Sequence, residues 1–209
     1  MGPTGSGKTT FINLISKSAL QVGDSLESCT EEVDLATECE VSGRKVHLID
    51  TPGFDDTEKT QADVLVDIAS YLEHSYETGR LLTGITYTHR ISDRRMNGIA
   101  RESFRLFRTI CGDSAMKNVV IVTNMWGDVA QAQGEARERE LATRSTFFQA
   151  ALDRGARMLR HCNTVDSAHA IVGQMLGNVP EPLKMQHEMV DQHMGIMSTE
   201  GKRRVSEEI

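Results

Sequence analysis

The chain has 209 residues, a length that suits one domain of ordinary size and lets it bury a full core without staples. Hydrophobic residues make up 39% and charged residues 25%, which excludes a disordered or fibrous chain and reads as a globular protein. A formal net charge of −7 argues against nucleic acid as a main partner, and the longest basic cluster is only Lys202-Arg203-Arg204.

Four cysteines (Cys29, Cys39, Cys111 and Cys162) are scattered without a Cys-x-x-Cys pair, which fits reduced thiols better than a disulfide framework or a metal site. The first residues are Gly-rich and polar rather than basic then apolar, so they do not read as a signal peptide. No apolar run approaches the roughly 18 residues that a membrane helix needs. The expectation is a cytoplasmic protein with no transmembrane segment.

A helix is predicted from Gly7 onward, where Phe11, Leu14, Ile15 and Ser18 share one face. Residues 20–32 have no apolar period and read as a loop. Two strands follow, over 33–41 and 45–50, joined by the turn signal Ser42-Gly43-Arg44; the second is stopped by Pro52 and Gly53. Val64, Leu65, Ile68 and Leu72 mark a second helix, residues 81–87 a strand, and Ala100, Phe104, Phe107 and Cys111 a third helix. Val119-Val120-Ile121-Val122 suits a buried parallel strand. Residues 134–160 are helix-rich and end in a strand over 156–160, and Ala168, Ile171, Val172 and Met175 stripe a further helix. Strands alternating with helices predict an α/β fold, a mostly parallel sheet covered on both faces. Residues 1–180 form the expected domain, and 181–209 a C-terminal helical extension with a frayed end.

Gly2-Pro3-Thr4-Gly5-Ser6-Gly7-Lys8-Thr9 carries the spacing Gly-x4-Gly-Lys-Ser/Thr immediately before the first helix. Glycines let the backbone curl so that its N–H groups face phosphates, and the helix N-terminus adds its positive end. Gly2, Gly5, Ser6, Gly7, Lys8, Thr9 and Thr10 are therefore the candidate phosphate site. Lys8 is expected to neutralise the β- and γ-phosphates, and the Thr9 hydroxyl to hold Mg²⁺.

Asp50-Thr51-Pro52-Gly53 follows an apolar strand, 42 residues after Lys8. In G proteins a strand-end aspartate reaches Mg²⁺ through water, and the glycine N–H meets the γ-phosphate. Thr30, in the polar loop before the second strand, is the candidate that completes the metal cage with Thr9 and Asp50.

Together with Ser28-Cys29-Thr30, Leu48-Ile49-Asp50-Thr51-Pro52-Gly53-Phe54-Asp55-Asp56, His89-Arg90-Ile91-Ser92-Asp93 and Val122-Thr123-Asn124-Met125-Trp126-Gly127, the chain resembles a fungal family of G-domain P-loop proteins. That family is similar to the immune-associated nucleotide-binding GTPases, the septins and the chloroplast-import GTPases. The resemblance covers roughly residues 1–180. It implies a Ras-like, three-layer αβα P-loop fold and GTP rather than ATP. Members of the resembled group often form a homodimer across their nucleotide faces and supply a catalytic residue in trans. His89, Arg90, Arg94 and Arg95 would lie toward such an edge, with Arg90 the candidate finger on the γ-phosphate. The effector is unknown.

Three features depart from that pattern. Guanine is normally read by Asn-Lys-x-Asp; here Asn124 aligns, Met125 replaces the lysine, Gly127 replaces the aspartate, and Asp128 stands one residue late. Asn163, beside His161 and Cys162, is the candidate from the second base-reading loop. Phe54 occupies the position of the water-orienting glutamine, so slow Mg²⁺-dependent GTP hydrolysis is expected, with Asp55 or Asp56 as the candidates to hold the attacking water. The third departure is at the start. A P-loop fold carries a strand of about five residues before its first glycine, and Met1-Gly2 leaves no room for it. The fold is thus expected to lack its first strand, as in a fragment whose true start lies upstream. Two further functions stay open at this point: a nucleotide-binding or scaffolding module with little turnover, and an ATP-using P-loop enzyme.

Overall fold

A computed structural model describes residues 1–22, 30, 32–56, 59–96 and 98–201. Ser28, Cys29 and the Lys202-Arg203-Arg204 cluster lie outside the described residues. The Gly-rich start leads into α1 (Lys8–Ser16), which buries Phe11, Ile12 and Ile15. Lys17, left-handed at φ 55°, closes α1 by donating its N–H to the Asn13 carbonyl.

The two strands expected next are each broken in two, as β1 (Asp34–Leu35), β2 (Cys39–Val41), β3 (Arg44–Val46) and β4 (Ile49–Asp50). β2 and β3 form an antiparallel hairpin whose two loop residues, Ser42 (φ 52°) and Gly43 (φ 76°), both have positive φ, the turn that matches strand twist. β1 pairs antiparallel with β4, and between the two ladders Ala36 N–H still donates to the Leu48 carbonyl at 2.9 Å.

α2 (Gln61–Glu77) starts on a reciprocal cap in which Thr60 and Asp63 bond each other's backbone N–H. It buries Val64, Leu65, Ile68, Ala69 and Leu72. β5 (Ile85–Arg90) begins four residues later than the apolar pattern predicts, since Leu81 stays exposed. Then come α3 (Gly98–Cys111), β6 (Val119–Asn124), α4 (Gln131–Thr143), α5 (Gln149–Leu152), β7 (Arg157–Arg160) and α6 (Val165–Gly173). β5, β6 and β7 form a parallel sheet with β6 in the middle.

β6 is buried along its whole length, and its alternation defines the layers. Val119 and Ile121 join Phe104 and Phe107 of α3 and Leu65 and Ile68 of α2. Val120 and Val122 join Phe11 and Ile15 of α1 and Ile171 and Val172 of α6. The fold is the expected α/β three-layer arrangement.

The first part of the extension after Pro182 packs inward, while its end, 202–209, lies outside the described residues. α7 (Lys184–Gln186) runs into a π-turn over His187–Asp191, and Leu183, Met185 and Met189 enter the α2/α3 core. Gln186, fully buried, donates to the Leu72 carbonyl (2.9 Å) and accepts from Leu183 N–H (2.9 Å).

Among the described residues no strand precedes α1. Met1 makes one parallel rung on β5, its amine to the Thr86 carbonyl and its carbonyl from Thr88 N–H, both at 3.0 Å. A cavity of about 690 Å³ opens beside that edge, walled by residues of β4 and β5 and by Phe11, Ile68, Leu72 and Met175. No described helix is long and apolar enough to cross a membrane.

Candidate nucleotide-binding site

The phosphate loop sits where α1, β5 and β6 meet. Gly7 is left-handed at φ 88°, and a Cβ there would strike the Asn124 amide, so both its conformation and its close approach require glycine. Asn124, at the end of β6, donates its side-chain N–H to the Ser6 carbonyl (3.0 Å) and accepts from Met125 N–H (2.8 Å). The residue expected to read the base therefore also ties the phosphate loop to the β6 end, 118 residues away in sequence.

Lys8 folds over the loop and donates to the carbonyls of Gly2 (3.2 Å) and Pro3 (2.9 Å). Enclosure of its ammonium pushes the Lys8 pKa down to about 8, against the opposing pull of Asp50, Asp55 and Asp56. A cation held at such a cost, with carbonyls for its hydrogen-bond partners among the described residues, fits an anionic ligand.

The three predicted metal residues converge. The Thr9 hydroxyl donates to Asp50 Oδ2 at 2.5 Å, and the Thr30 hydroxyl lies 3.2 Å from that of Thr9 and 3.5 Å from the same carboxylate oxygen. Asp50 is buried, and its Oδ1 accepts Thr51 N–H at 3.0 Å. Among the described residues no group of three or more His, Cys, Asp or Glu is assembled to hold a metal by itself. Two hydroxyls and one carboxylate beside a phosphate loop instead fit Mg²⁺, which keeps waters and shares its coordination with substrate phosphates.

Gly53 presses on the phosphate loop. A Cβ at Gly53 would lie 2.6 Å from Thr4 N and 2.7 Å from Thr4 Cα, so no other residue permits this approach. The next residue, Phe54, is fully buried in the α2/α3 core and donates its N–H to the Gly2 carbonyl at 3.4 Å. Asp55 then turns back and accepts the Thr4 N–H on Oδ1. Sequence reasoning identified the Phe54 departure but neither the anchoring role of that ring nor the Thr4–Asp55 bond.

Arg90 leaves β5 with its Nε 3.1 Å from Asp93 and its Nη1 at the rim of the loop, 3.3 Å from where a Gly5 Cβ would stand. Arg94 and Arg95 are exposed. Thr10 follows Thr9 on α1 and is half-buried.

The base-side residues are less concentrated. Met125 is left-handed (φ 61°) and leads into a 3₁₀ turn, Trp126–Asp128, with Asp128 exposed. The Trp126 ring lies against Gly134 on one side and 4.2 Å from the Arg160 guanidinium, and its Nε1 donates to the Thr123 carbonyl at 3.1 Å. Arg160, which Glu138 and Glu135 hold in place, was not singled out by the sequence, because nothing local links it to Trp126. Asn163 is exposed and left-handed (φ 55°) in the loop after β7. His161 is buried, bonded to Ser167 Oγ at 2.9 Å and edge-on to Phe11, so its role is packing. Cys162 is exposed, and Cys39, Cys111 and Cys162 are all free thiols.

Comparison with known proteins agrees with this geometry. The GTP-binding protein A of Dictyostelium discoideum is 27% identical over 124 residues, covering 58% of this chain but only 26% of that protein. The chain thus spans about a quarter of the length of that relative. Among solved structures, Toc33 from Arabidopsis thaliana in its dimerization-deficient R130A form superposes with a TM-score of 0.62 at 13% identity, over 87% of this chain and 85% of that one. Toc33 in complex with Mg²⁺ and GMPPNP gives 0.56 at 17% identity, over 78% and 69%. The elongation factor SelB from Methanococcus maripaludis gives 0.54 at 12% identity, over 86% and 33%. At these identities the likeness establishes the fold. The sequence itself matches the family described as 50S ribosome-binding GTPase over residues 1–125, more than half its length. The chain belongs to that family of GTPases.

Proposed function

We propose that this chain is a GTP- and Mg²⁺-dependent switch with slow intrinsic hydrolysis. Membership of a GTPase family makes GTP the nucleotide and Mg²⁺ its counter-ion. One observation carries the switch reading: Gly53 and Asp55 sit directly on Thr4 of the phosphate loop. A ligand whose phosphate reaches Thr4 must displace the segment after Asp50, which leads into α2. Mg²⁺ would be held by Thr9, Thr30 and Asp50 and would supply charge neutralisation to the phosphates. Lys8 supplies positive charge, Thr9 and Thr30 supply hydroxyl oxygens, and Asp50 orients both hydroxyls.

Slow turnover follows from Phe54. Its ring is locked in the core and offers no polar atom to an attacking water. Arg90, held by Asp93 at the loop rim, is the group we assign to charge stabilisation during hydrolysis, completed in a homodimer across the nucleotide faces. For the structural neighbours atToc33 and psToc159, dimerization is important for GTPase activity. Asn124, Asp128 and Asn163 are assigned to the base side, and free thiols suit a cytoplasmic setting.

The second reading is a nucleotide-binding module with little turnover, favoured by the buried Phe54 and by Gly127 in place of a base-reading aspartate. Titration with fluorescent GTP and ATP analogues, followed by phosphate release across protein concentrations, separates the readings. The switch predicts a preference for GTP and a release rate per molecule that rises with concentration. Preference for ATP overturns it, and tight GTP binding without release at any concentration leaves the module.

A further inference from the structure

We propose that Asp55 is a built-in competitor for the terminal phosphate, so that this side chain sets the preference between nucleoside triphosphate and diphosphate. The inference rests on the nucleotide-switch reading and adds a specificity residue to it.

Three observations meet at Thr4. Its N–H is one of the loop amides, and Asp55 Oδ1 accepts it. Gly53 lies against the same residue, within 2.6 Å of Thr4 N for a built Cβ, and in the switch reading its own N–H is the one that meets a γ-phosphate. Thr4 therefore marks the terminal-phosphate end of the loop, away from the α1 N-terminus. The third is Phe54: its ring is fully buried and its N–H reaches the Gly2 carbonyl, so Asp55 is delivered to Thr4 on a short anchored lead rather than a loose one.

A carboxylate and a phosphoryl group ask for the same things, N–H donors and nearby positive charge. Lys8 feels the Asp55 charge, so in this arrangement the carboxylate partly neutralises the lysine that a phosphate would otherwise meet. The two anions repel each other and cannot share one N–H. A third phosphate therefore enters only when Asp55 leaves Thr4, whereas a diphosphate held nearer the α1 N-terminus has no such requirement. Displacement of Asp55 pulls on Gly53 and Phe54, which gives the triphosphate state its own loop position.

The test uses the full chain with fluorescent GDP and a non-hydrolysable GTP analogue, comparing wild type with Asp55→Ala and Asp55→Asn. The expected result is a gain of about tenfold in triphosphate affinity for Asp55→Ala, a smaller gain for Asp55→Asn, and less than a twofold change for diphosphate. An equal change for both nucleotides, no change, or a loss of triphosphate affinity overturns the proposal; melting curves of the three proteins identify a folding defect. Wild type that binds neither nucleotide would sink the nucleotide switch itself. Wild type that binds both, with an unaltered ratio in the variants, would sink only the role of Asp55.

Discussion

At the scale of single residues, the phosphate loop was legible because its chemistry fixes its spacing. Gly7, Lys8 and Thr9 must be consecutive for a helix N-terminus, an ammonium and a hydroxyl to converge on one phosphate chain. The convergence of Thr9, Thr30 and Asp50 was legible for a related reason, since each belongs to a short motif at a predictable point of the fold. The contacts of Asp55 with Thr4, of Asn124 with Ser6 and of Trp126 with Arg160 were not. Each joins residues 34 or more apart whose encounter depends on tertiary packing. Lys8 supplies the prediction at this scale. Enclosure lowers its pKa to about 8, so the fold holds that charge at a cost rather than gaining from it. Lys8→Ala should leave the melting temperature unchanged or slightly raised while nucleotide affinity falls at least about a hundredfold, which paired melts and titrations would measure. Micromolar binding retained by that variant would overturn the site assignment.

At the scale of elements, periodicity recovered what is long and amphipathic. α2, α3, α6 and β6 stand where their apolar residues recur, and β6 was readable as a buried parallel strand because both its faces are apolar. The short strands β1 to β4 were blurred into two, since two or three residues carry no measurable period. The inward packing after Pro182 was not legible, because Leu183, Met185 and Met189 follow no single helix or strand period. A single helical turn followed by a π-turn brings all three inward. Gln186 is the tie that holds this segment on α2. Replacing it with leucine keeps the volume but strands the Leu183 N–H and removes the donor to Leu72 and Ser75 Oγ (3.3 Å). Gln186→Leu should therefore cost about 2–4 kcal/mol, a drop in melting temperature of roughly 4–16 °C for a chain of this size. Unchanged melting would mean that the segment does not contribute to the core.

At the scale of the whole molecule, the aromatic centre of the α2/α3 layer links stability to pH. Tyr87, Phe104 and Phe148 pack edge to face around β5, Phe107 stacks on Phe104, and His89 lies edge-on to Phe148 at 5.4 Å. Its Nδ1 is buried without a hydrogen-bond partner among the described residues. Burial pushes its pKa down to about 4, with Arg90 adding to the fall and Asp93 opposing it. In the unfolded chain the same imidazole titrates near its ordinary value of 6.5. Between these two values the unfolded state takes up a proton that the folded state refuses, so stability falls as pH falls through that window and levels off below it. The whole shift amounts to about 3 kcal/mol, which neutral pH hides and mild acid reveals. Denaturant unfolding from pH 7.5 to 4.5 should show a steeper loss for wild type than for His89→Phe, which keeps the aromatic packing and cannot titrate. The carboxylates and the remaining histidines contribute a slope common to both proteins, so the difference between the two curves isolates His89. Parallel curves would mean that His89 is open to solvent protons in the folded protein, and that the centre around β5 is less closed than its packing implies.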